Sequence, residues 1–183
     1  MQRFNILLFL LVVSFAPVMQ AQTPAPKPDP ELKKLHVWVG HWTYEGEYKA
    51  GPLGPGGKFT GEYTGQMILG GFFYQDQEIE KGSMGETRNL GMYAYDPVNK
   101  NFAFNSYQND GSTYSGTLTI SGNTWTWAGK LVVAGKQYLF KDAFTLAPDL
   151  MSGTGKAEIS VDGNTWTPFF EAKITKAKPA PKK

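Results

Sequence analysis

Gly40-His41-Trp42 is the stretch that decides the fold, because the pattern of apolar residues changes there. Before it, apolar residues recur at helical spacing: Leu32, Leu35, Trp38 and Val39. After it, apolar and polar residues alternate in about ten runs that fill most of the chain. A glycine that lets the chain turn, followed by a tryptophan that opens the first strand, is typical of a closed antiparallel barrel with a plugged base. The stretch therefore indicates a container.

The segment before Gly40 predicts a short helix that closes one end of the barrel. Asp29 is suited to cap this helix, Pro30 to occupy its first position and Glu31 its first turn. Gly40 is suited to be its C-terminal cap.

The remaining runs have the period of two that β-strands require. In the clearest run, Tyr114, Leu118 and Ile120 alternate with threonine and serine. Turn sequences such as Asn109-Asp110-Gly111 separate successive runs, so consecutive strands should be antiparallel neighbours. A sheet of about ten twisted strands tends to curl and close. We therefore predict an all-β fold, an up-and-down antiparallel barrel of about ten strands.

Residues 1–21 have the features of a secretory signal peptide. Arg3 is positively charged, Ile6 to Ala16 form an apolar segment, and Ala21 is a small residue at a suitable cleavage point. The apolar segment is shorter than the roughly 20 residues that a membrane-spanning helix needs. We therefore expect export to the periplasm or beyond the cell, with no stable membrane insertion after signal cleavage.

The rest of the chain divides into a linker, one domain and a tail. Residues 22–30 carry proline at alternate positions, which favours an extended spacer. Residues 176–183 are basic and poor in apolar side chains, which predicts a disordered tail. Residues 31–175 remain for the barrel, and a domain of about 145 residues can bury a core of its own. The chain has no cysteine, so packing rather than disulfides must stabilise this domain.

Composition argues against several classes of function. A net charge of +2 is too small for the dense phosphate neutralisation of a nucleic-acid-binding protein. His36 and His41 are the only histidines and there is no thiol, so ligands for zinc are scarce. No G-x-S-x-G element for a nucleophilic serine is present. We therefore expect no nucleic-acid partner, no metal, no cofactor and no enzymatic activity.

Paired carboxylates are the remaining route to catalysis. They fall on the first and third strand-like runs: Glu45 and Glu47, then Asp76, Glu78 and Glu80. Acids that share a face on neighbouring strands could frame a sugar, as in glycosidases. However, Lys49, Lys58 and Lys81 lie close by in sequence, which predicts a solvated outer face of mixed charge instead.

The aromatic residues point to an interior site. A ten-stranded barrel is wider than the eight-stranded kind that side chains just fill, which leaves room for a cavity. We predict that the barrel binds a small hydrophobic molecule through these residues: Tyr93, Phe104, Trp127, Phe140 and Asp142. Asp142 alternates with aromatic neighbours, so it is either an interior polar contact, which we favour, or a sign that this face points outward. The competing hypothesis is a structural or interaction domain with a fully packed interior.

Four motifs occur in order along the chain: L-x-x-L-x-x-x-V-G-x-W (Leu32 to Trp42), G-P-G-G (Gly54 to Gly57), L-G-G-F-F (Leu69 to Phe73) and G-M-Y-A-Y-D-P (Gly91 to Pro97). Together they resemble the bacterial domain-of-unknown-function family 1579, from Leu32 to about Thr175. The resemblance implies a calycin-like, lipocalin-type barrel with no established activity.

Two departures from related calycins bear on function. Lipocalins commonly place an arginine of the last strand over the tryptophan of the G-x-W motif. In this sequence the basic residue near the corresponding position of the last strand is Lys173. Haem-binding nitrobindins use a histidine late in the chain, and this sequence has none after His41. The alternative of a haem-binding calycin is therefore disfavoured.

Overall fold

Ten antiparallel β-strands form a closed barrel. The computed structural model describes residues 25–83 and 85–177. The strands are β1 Gly40–Tyr48, β2 Gly57–Ile68, β3 Phe73–Gly82, β4 Gly85–Asp96, β5 Asn101–Gln108, β6 Thr113–Ser121, β7 Thr124–Val133, β8 Lys136–Leu146, β9 Ser152–Ser160 and β10 Thr167–Lys176. Each strand pairs with its neighbours in sequence, and β1 pairs with β10 to close the ring. The predicted all-β, up-and-down barrel is confirmed.

A 3-10 helix, Pro30–Trp38, precedes β1 and packs into one end of the barrel. As predicted, the Asp29 carboxylate caps it by accepting a hydrogen bond from the Glu31 amide at 2.9 Å. A 3-10 helix has three residues per turn, so apolar side chains spaced by three fall on one buried face: Leu32, Leu35 and Trp38. The prediction for Gly40 is wrong in detail, because Val39 occupies the C-terminal cap and Gly40, with φ of +112°, already begins β1.

Trp42 forms the floor of the barrel and is completely buried. Its ring stacks on Tyr63 with an angle of 10° between the planes, and it lies 5.2 Å from the ring of Trp38. The cation over this floor is Lys176 rather than Lys173, which is exposed on the outer face of β10. The helix, the first strand and the last strand therefore meet at one tryptophan.

Glycines on the inner face let neighbouring strands bend closely together. Gly116 of β6 and Gly129 of β7 are directly paired, and a Cβ atom on either would overlap the backbone of the opposite strand. Gly91 of β4 pairs with Asp76, and a Cβ atom there would overlap the Asp76 carboxylate. The absence of a side chain at these positions therefore permits the close approach of β6 to β7 and leaves room for the Asp76 carboxylate.

The ends of the chain are only partly described. The predicted signal peptide, residues 1–21, lies outside the described residues, as does the tail from residue 178 onward. Lys176 is the last residue of β10 and not the first residue of the tail. Within residues 25–83 and 85–177, no helix combines the length and the apolar character needed to cross a membrane.

Candidate functional site

A cavity of about 230 Å³ lies inside the barrel. It is lined by all five residues of the site predicted from the sequence: Tyr93, Phe104, Trp127, Phe140 and Asp142. The Asp142 side chain thus points inward, although ligand binding by these residues remains a prediction. The volume is slightly below the range of roughly 300–1,000 Å³ typical of ligand sites, which suits a compact molecule.

Three acidic side chains of β3 line the same cavity: Asp76, Glu78 and Glu80. The prediction that they belong to a solvated outer face is wrong. Alternation along β3 places them on the same side of the strand as Tyr74, which is buried. Lys81 points the other way, is 70% exposed and pairs with Glu86 at 3.5 Å. The regular spacing from Tyr74 was the signal in the sequence that identifies these inward acids.

The carboxylates of β1, by contrast, face solvent as predicted. Glu45 is exposed, and Glu47 is exposed and pairs with the Lys49 ammonium at 3.3 Å. Asp76 lies inside the barrel, so the acids of β1 and β3 do not share the face that catalysis would require.

Tyrosines of β1 hydrogen-bond the inward acids across β2. The Tyr44 hydroxyl donates to Glu78 Oε1 at 2.5 Å, and the Tyr48 hydroxyl donates to Glu80 Oε1 at 2.6 Å. Gly61 of β2 lies between Tyr44 and Glu80 in the register, and a Cβ atom there would overlap the Tyr44 ring. The missing side chain on β2 therefore lets β1 reach the acids of β3.

The amide of Asn89 completes the polar contacts of Glu78. Its Nδ2 atom donates to Glu78 Oε2 at 3.2 Å, and its Oδ1 atom accepts from the Ser106 hydroxyl. Neutral donors on β1 and β4 therefore contact both oxygens of Glu78.

Burial gives the cavity acids unusual protonation behaviour. Burial, reinforced by the charge of Glu78, raises the pKa of Asp76 to about 7, against opposing hydrogen bonds from Gly91 and Tyr93. Burial likewise raises the pKa of Glu80 to about 7, although the Tyr48 hydroxyl favours its charged form. The pKa of Glu78 is also raised by burial. Asp76 and Glu80 therefore change charge near neutral pH.

Asp142 lies on the opposite wall of the lumen. In the ring of ten strands, β4 to β7 separate β3 from β8 on one side, and β2, β1, β10 and β9 separate them on the other. Burial, and then the charge of Glu78, raises the pKa of Asp142 well above its usual range. Its Oδ1 atom is fully buried and has no hydrogen-bond partner among the described residues. Asp142 is thus the one carboxyl among the cavity-lining groups that lack a partner in the described part of the chain, and the other two are Trp38 Nε1 and Tyr63 Oη.

The described wall contains no cationic side chain to balance these acids. None of the residues that line the cavity is lysine, arginine or histidine. His36 and His41 are exposed, and His41 Nε2 lies 3.4 Å from Glu62 Oε2 on the outer face. In the described part of the chain, no three histidine, aspartate or glutamate side chains converge in a way that could hold a metal ion.

A solved structure shows the same type of fold. The chain is similar to the crystal structure of Rv2717c from M. tuberculosis, with 13% sequence identity, a TM-score of 0.61, and coverage of 83% of this chain and 100% of that one. A weaker similarity, with 7% identity and a TM-score of 0.40, covers 81% of this chain and 93% of the S-type phycobiliprotein lyase CPES from Guillardia theta. At 13% identity the likeness to Rv2717c concerns the fold alone.

Sequence comparison gives the family. A comparison with curated proteins finds no match. A family model described as "Protein of unknown function (DUF1579)" matches residues 27–176, which include the 3-10 helix and all ten strands. The chain therefore belongs to the DUF1579 family and has its calycin-like barrel.

Proposed function

We propose that this protein binds a compact, largely apolar molecule inside its barrel. The observation that carries the proposal is the cavity of about 230 Å³ that remains between aromatic walls. Protein interiors are normally packed densely, with few voids larger than a water molecule. Mostly apolar cavities with a few convergent polar groups are typical of small-molecule sites.

Aromatic contacts give the proposed site its shape. Phe140 lies 5.9 Å from Phe104 and 5.3 Å from Tyr114, with the rings edge to face in both pairs. Tyr93 stacks on Phe104 at 5.6 Å. Packing against neighbouring rings holds these side chains in place. A ligand therefore binds to a preformed apolar surface, and few side chains lose conformational freedom on binding.

Binding is favoured over catalysis as the role of this site. The acids first weighed for catalysis on β1 are exposed, and the β3 acids Glu78 and Glu80 are hydrogen-bonded by tyrosines. A pKa near neutrality also suits a general acid or base, so activity assays should accompany binding assays. We propose a binding role because the cavity and its aromatic walls are explained by ligand binding, with no need to assign a catalytic residue.

Filling the cavity tests the proposal. Ala157 lines the cavity, so Ala157→Leu should occupy part of its volume. Native mass spectrometry of the protein purified from its own host should reveal a bound small molecule, and Ala157→Leu should lose it. Ala103→Leu, on the outer face of β5, is the matched control and should retain it. A ligand-free mass, together with no thermal shift across fatty acids, haem and quinones, would overturn the proposal.

Export is the second part of the proposal. It rests on the positive, apolar and small-residue segments of residues 1–21. Expression in a bacterial host should give a mature protein that begins at Gln22 in the periplasmic or culture fraction. Replacing Leu10 and Leu11 in the apolar segment with arginine should keep the full-length chain in the cytoplasm. Recovery of the unprocessed wild-type chain from the cytoplasm would contradict export.

A further inference from the structure

Acidic groups face each other across the cavity without a cation between them. Asp142 on β8 and Glu78 on β3 lie on opposite walls of the same cavity, and after burial the charge of Glu78 is the second cause that raises the pKa of Asp142. The residues that line the cavity also include Asp76 and Glu80, and none of them is lysine, arginine or histidine. Like charges in a poorly solvated space oppose one another, so this arrangement is unfavourable when the cavity holds no positive charge.

The protein's own hydrogen bonds leave part of this acidity unsatisfied. Tyr44 and Asn89 contact Glu78, and Tyr48 contacts Glu80, but all three donors are neutral. The Oδ1 atom of Asp142 has no partner at all among the described residues, although it is fully buried. A buried polar atom without a partner in a native protein calls for an explanation, and a bound ligand supplies one.

The surroundings of Asp142 suit an organic cation. Trp127 pairs with Asp142 in the register of β7 and β8, and Phe140 and Phe144 flank it on the same face. Aromatic faces attract ammonium groups and also cover an apolar body. The acids are spread along β3 and across to β8 and form no metal-binding cluster within residues 25–83 and 85–177.

We propose that the cavity binds a small organic amine whose ammonium group lies between Glu78 and Asp142 and whose apolar body lies against the aromatic wall. This inference rests on the proposed binding function and specifies the chemical class of the ligand. The ammonium donates to Asp142 Oδ1 and reduces the repulsion between the two acids. The β3 neighbours Asp76 and Glu80 add negative potential at the same place.

Other ionisable groups that face the site remain neutral. They are the tyrosines of β1 to β4 and β6: Tyr44, Tyr48, Tyr63, Tyr74, Tyr93 and Tyr114. Burial is the main cause that raises the pKa of each of these hydroxyls. The carboxyls are therefore the groups of the cavity that exchange protons near neutral pH. Binding of an ammonium group favours their charged form and should release protons from them.

Three probes of similar shape and different charge test the ligand class by isothermal titration calorimetry near pH 7. They are phenethylamine, phenethyl alcohol and hydrocinnamate. We expect the amine to bind at least about tenfold more tightly than the alcohol, with hydrocinnamate weakest. Titrations in phosphate and Tris buffers should differ in apparent enthalpy for the amine, because protons are released.

Isosteric variants locate the ammonium group. Glu78→Gln and Asp142→Asn should each weaken phenethylamine binding about tenfold or more and leave phenethyl alcohol binding unchanged. Glu45→Gln removes an exposed carboxylate of the outer face and should change neither. Thermal melting of each variant checks that the barrel is folded. If a variant does not fold, the comparison of the three probes on the wild-type protein still tests the ligand class.

The outcomes separate this inference from the proposed function. Equal binding of amine and alcohol, or preference for hydrocinnamate, overturns the amine ligand and leaves a small-molecule site in place. Failure of all three probes also overturns the amine ligand, while a host-derived molecule lost in Ala157→Leu would still support the proposed function. Amine binding that survives both isosteric substitutions overturns the placement between Glu78 and Asp142.

Discussion

The ammonium group of Lys176 lies over the indole ring of Trp42, with Nζ 5.3 Å from the ring centroid. The same Nζ atom donates a hydrogen bond to the backbone carbonyl of Val37 at 2.8 Å. One side chain of the last strand therefore joins the barrel floor to the last turn of the N-terminal helix. Lipocalin-type barrels commonly use an arginine for this contact, and here a lysine makes it.

Lys176→Met should destabilise the barrel because it removes both contacts. We expect a loss of about 1–3 kcal/mol in the free energy of unfolding, measured by urea denaturation. Lys176→Arg should recover much of the loss, since a guanidinium can make the same contacts. Lys173→Met, on the exposed face of β10, should change the free energy by less than about 0.5 kcal/mol. Equal effects at the two lysines would contradict this role.

Gly116→Ala should be strongly destabilising although it adds a single methyl group. The new Cβ atom would overlap the Ala128 carbonyl of β7, and backbone cannot move aside as a flexible side chain can. We expect a loss of more than about 3 kcal/mol, beyond the usual effect of a point substitution. Thr117→Ala, at the adjacent exposed position, should lose less than about 1 kcal/mol. Denaturation of the two variants in parallel decides this.

The fold could be predicted because its signals are local. Alternation of apolar and polar residues identifies each strand, and short turns make consecutive strands neighbours. The helix was equally accessible, since Asp29 and Pro30 mark its start. Its 3-10 geometry was not predicted, because residues at intervals of three, such as Leu32 and Leu35, also suit an amphipathic α-helix.

The lining of the candidate site could be predicted only on its aromatic side. Asp142 lies between Phe140 and Phe144 on one face of a strand, so its inward direction followed from alternation. Asp76 and Glu78 were assigned to the surface because lysines lie near them in sequence. Their actual partners are distant in sequence: Tyr44 contacts Glu78 across 34 residues, over a bare glycine of β2. Such a contact depends on the register of three strands, which a single sequence does not specify.

The ligand-free protein should become less stable as pH rises from about 4 to 8. Asp76 and Glu80 have pKa values of about 7 when folded and ordinary values of 3.8 and 4.5, so the folded state holds more protons in between. Stability from these groups is fully present below the unfolded values and is lost as pH rises through about 7. Urea denaturation at several pH values measures the slope.

Removing one cavity carboxyl should flatten this dependence. Asp76→Asn and Glu80→Gln should each reduce the slope between about pH 5 and 7 by up to about 1.4 kcal/mol per pH unit. Glu45→Gln removes a carboxylate on the outer face and should leave the slope unchanged. A wild-type protein whose stability rises over this range would show that the acids of β3 are not protonated in the folded state.

Tyr48→Phe should raise the pKa of Glu80 above its value of about 7. The Tyr48 hydroxyl donates to Glu80 Oε1 at 2.6 Å and stabilises the charged carboxylate, so its loss favours the protonated form. The ring should stay in place, because it packs 4.4 Å from Phe59 and 5.1 Å from Phe169. Carbon-13 NMR titration of the Glu80 carboxyl should show a rise of about 1 in pKa. Tyr107→Phe, at a side chain that is 53% exposed, is the control and should leave the titration unchanged. An unchanged Glu80 pKa would mean that the Tyr48 hydroxyl does not control the charge of Glu80, and a fall would mean that the hydroxyl favours the protonated form; either result would contradict the prediction.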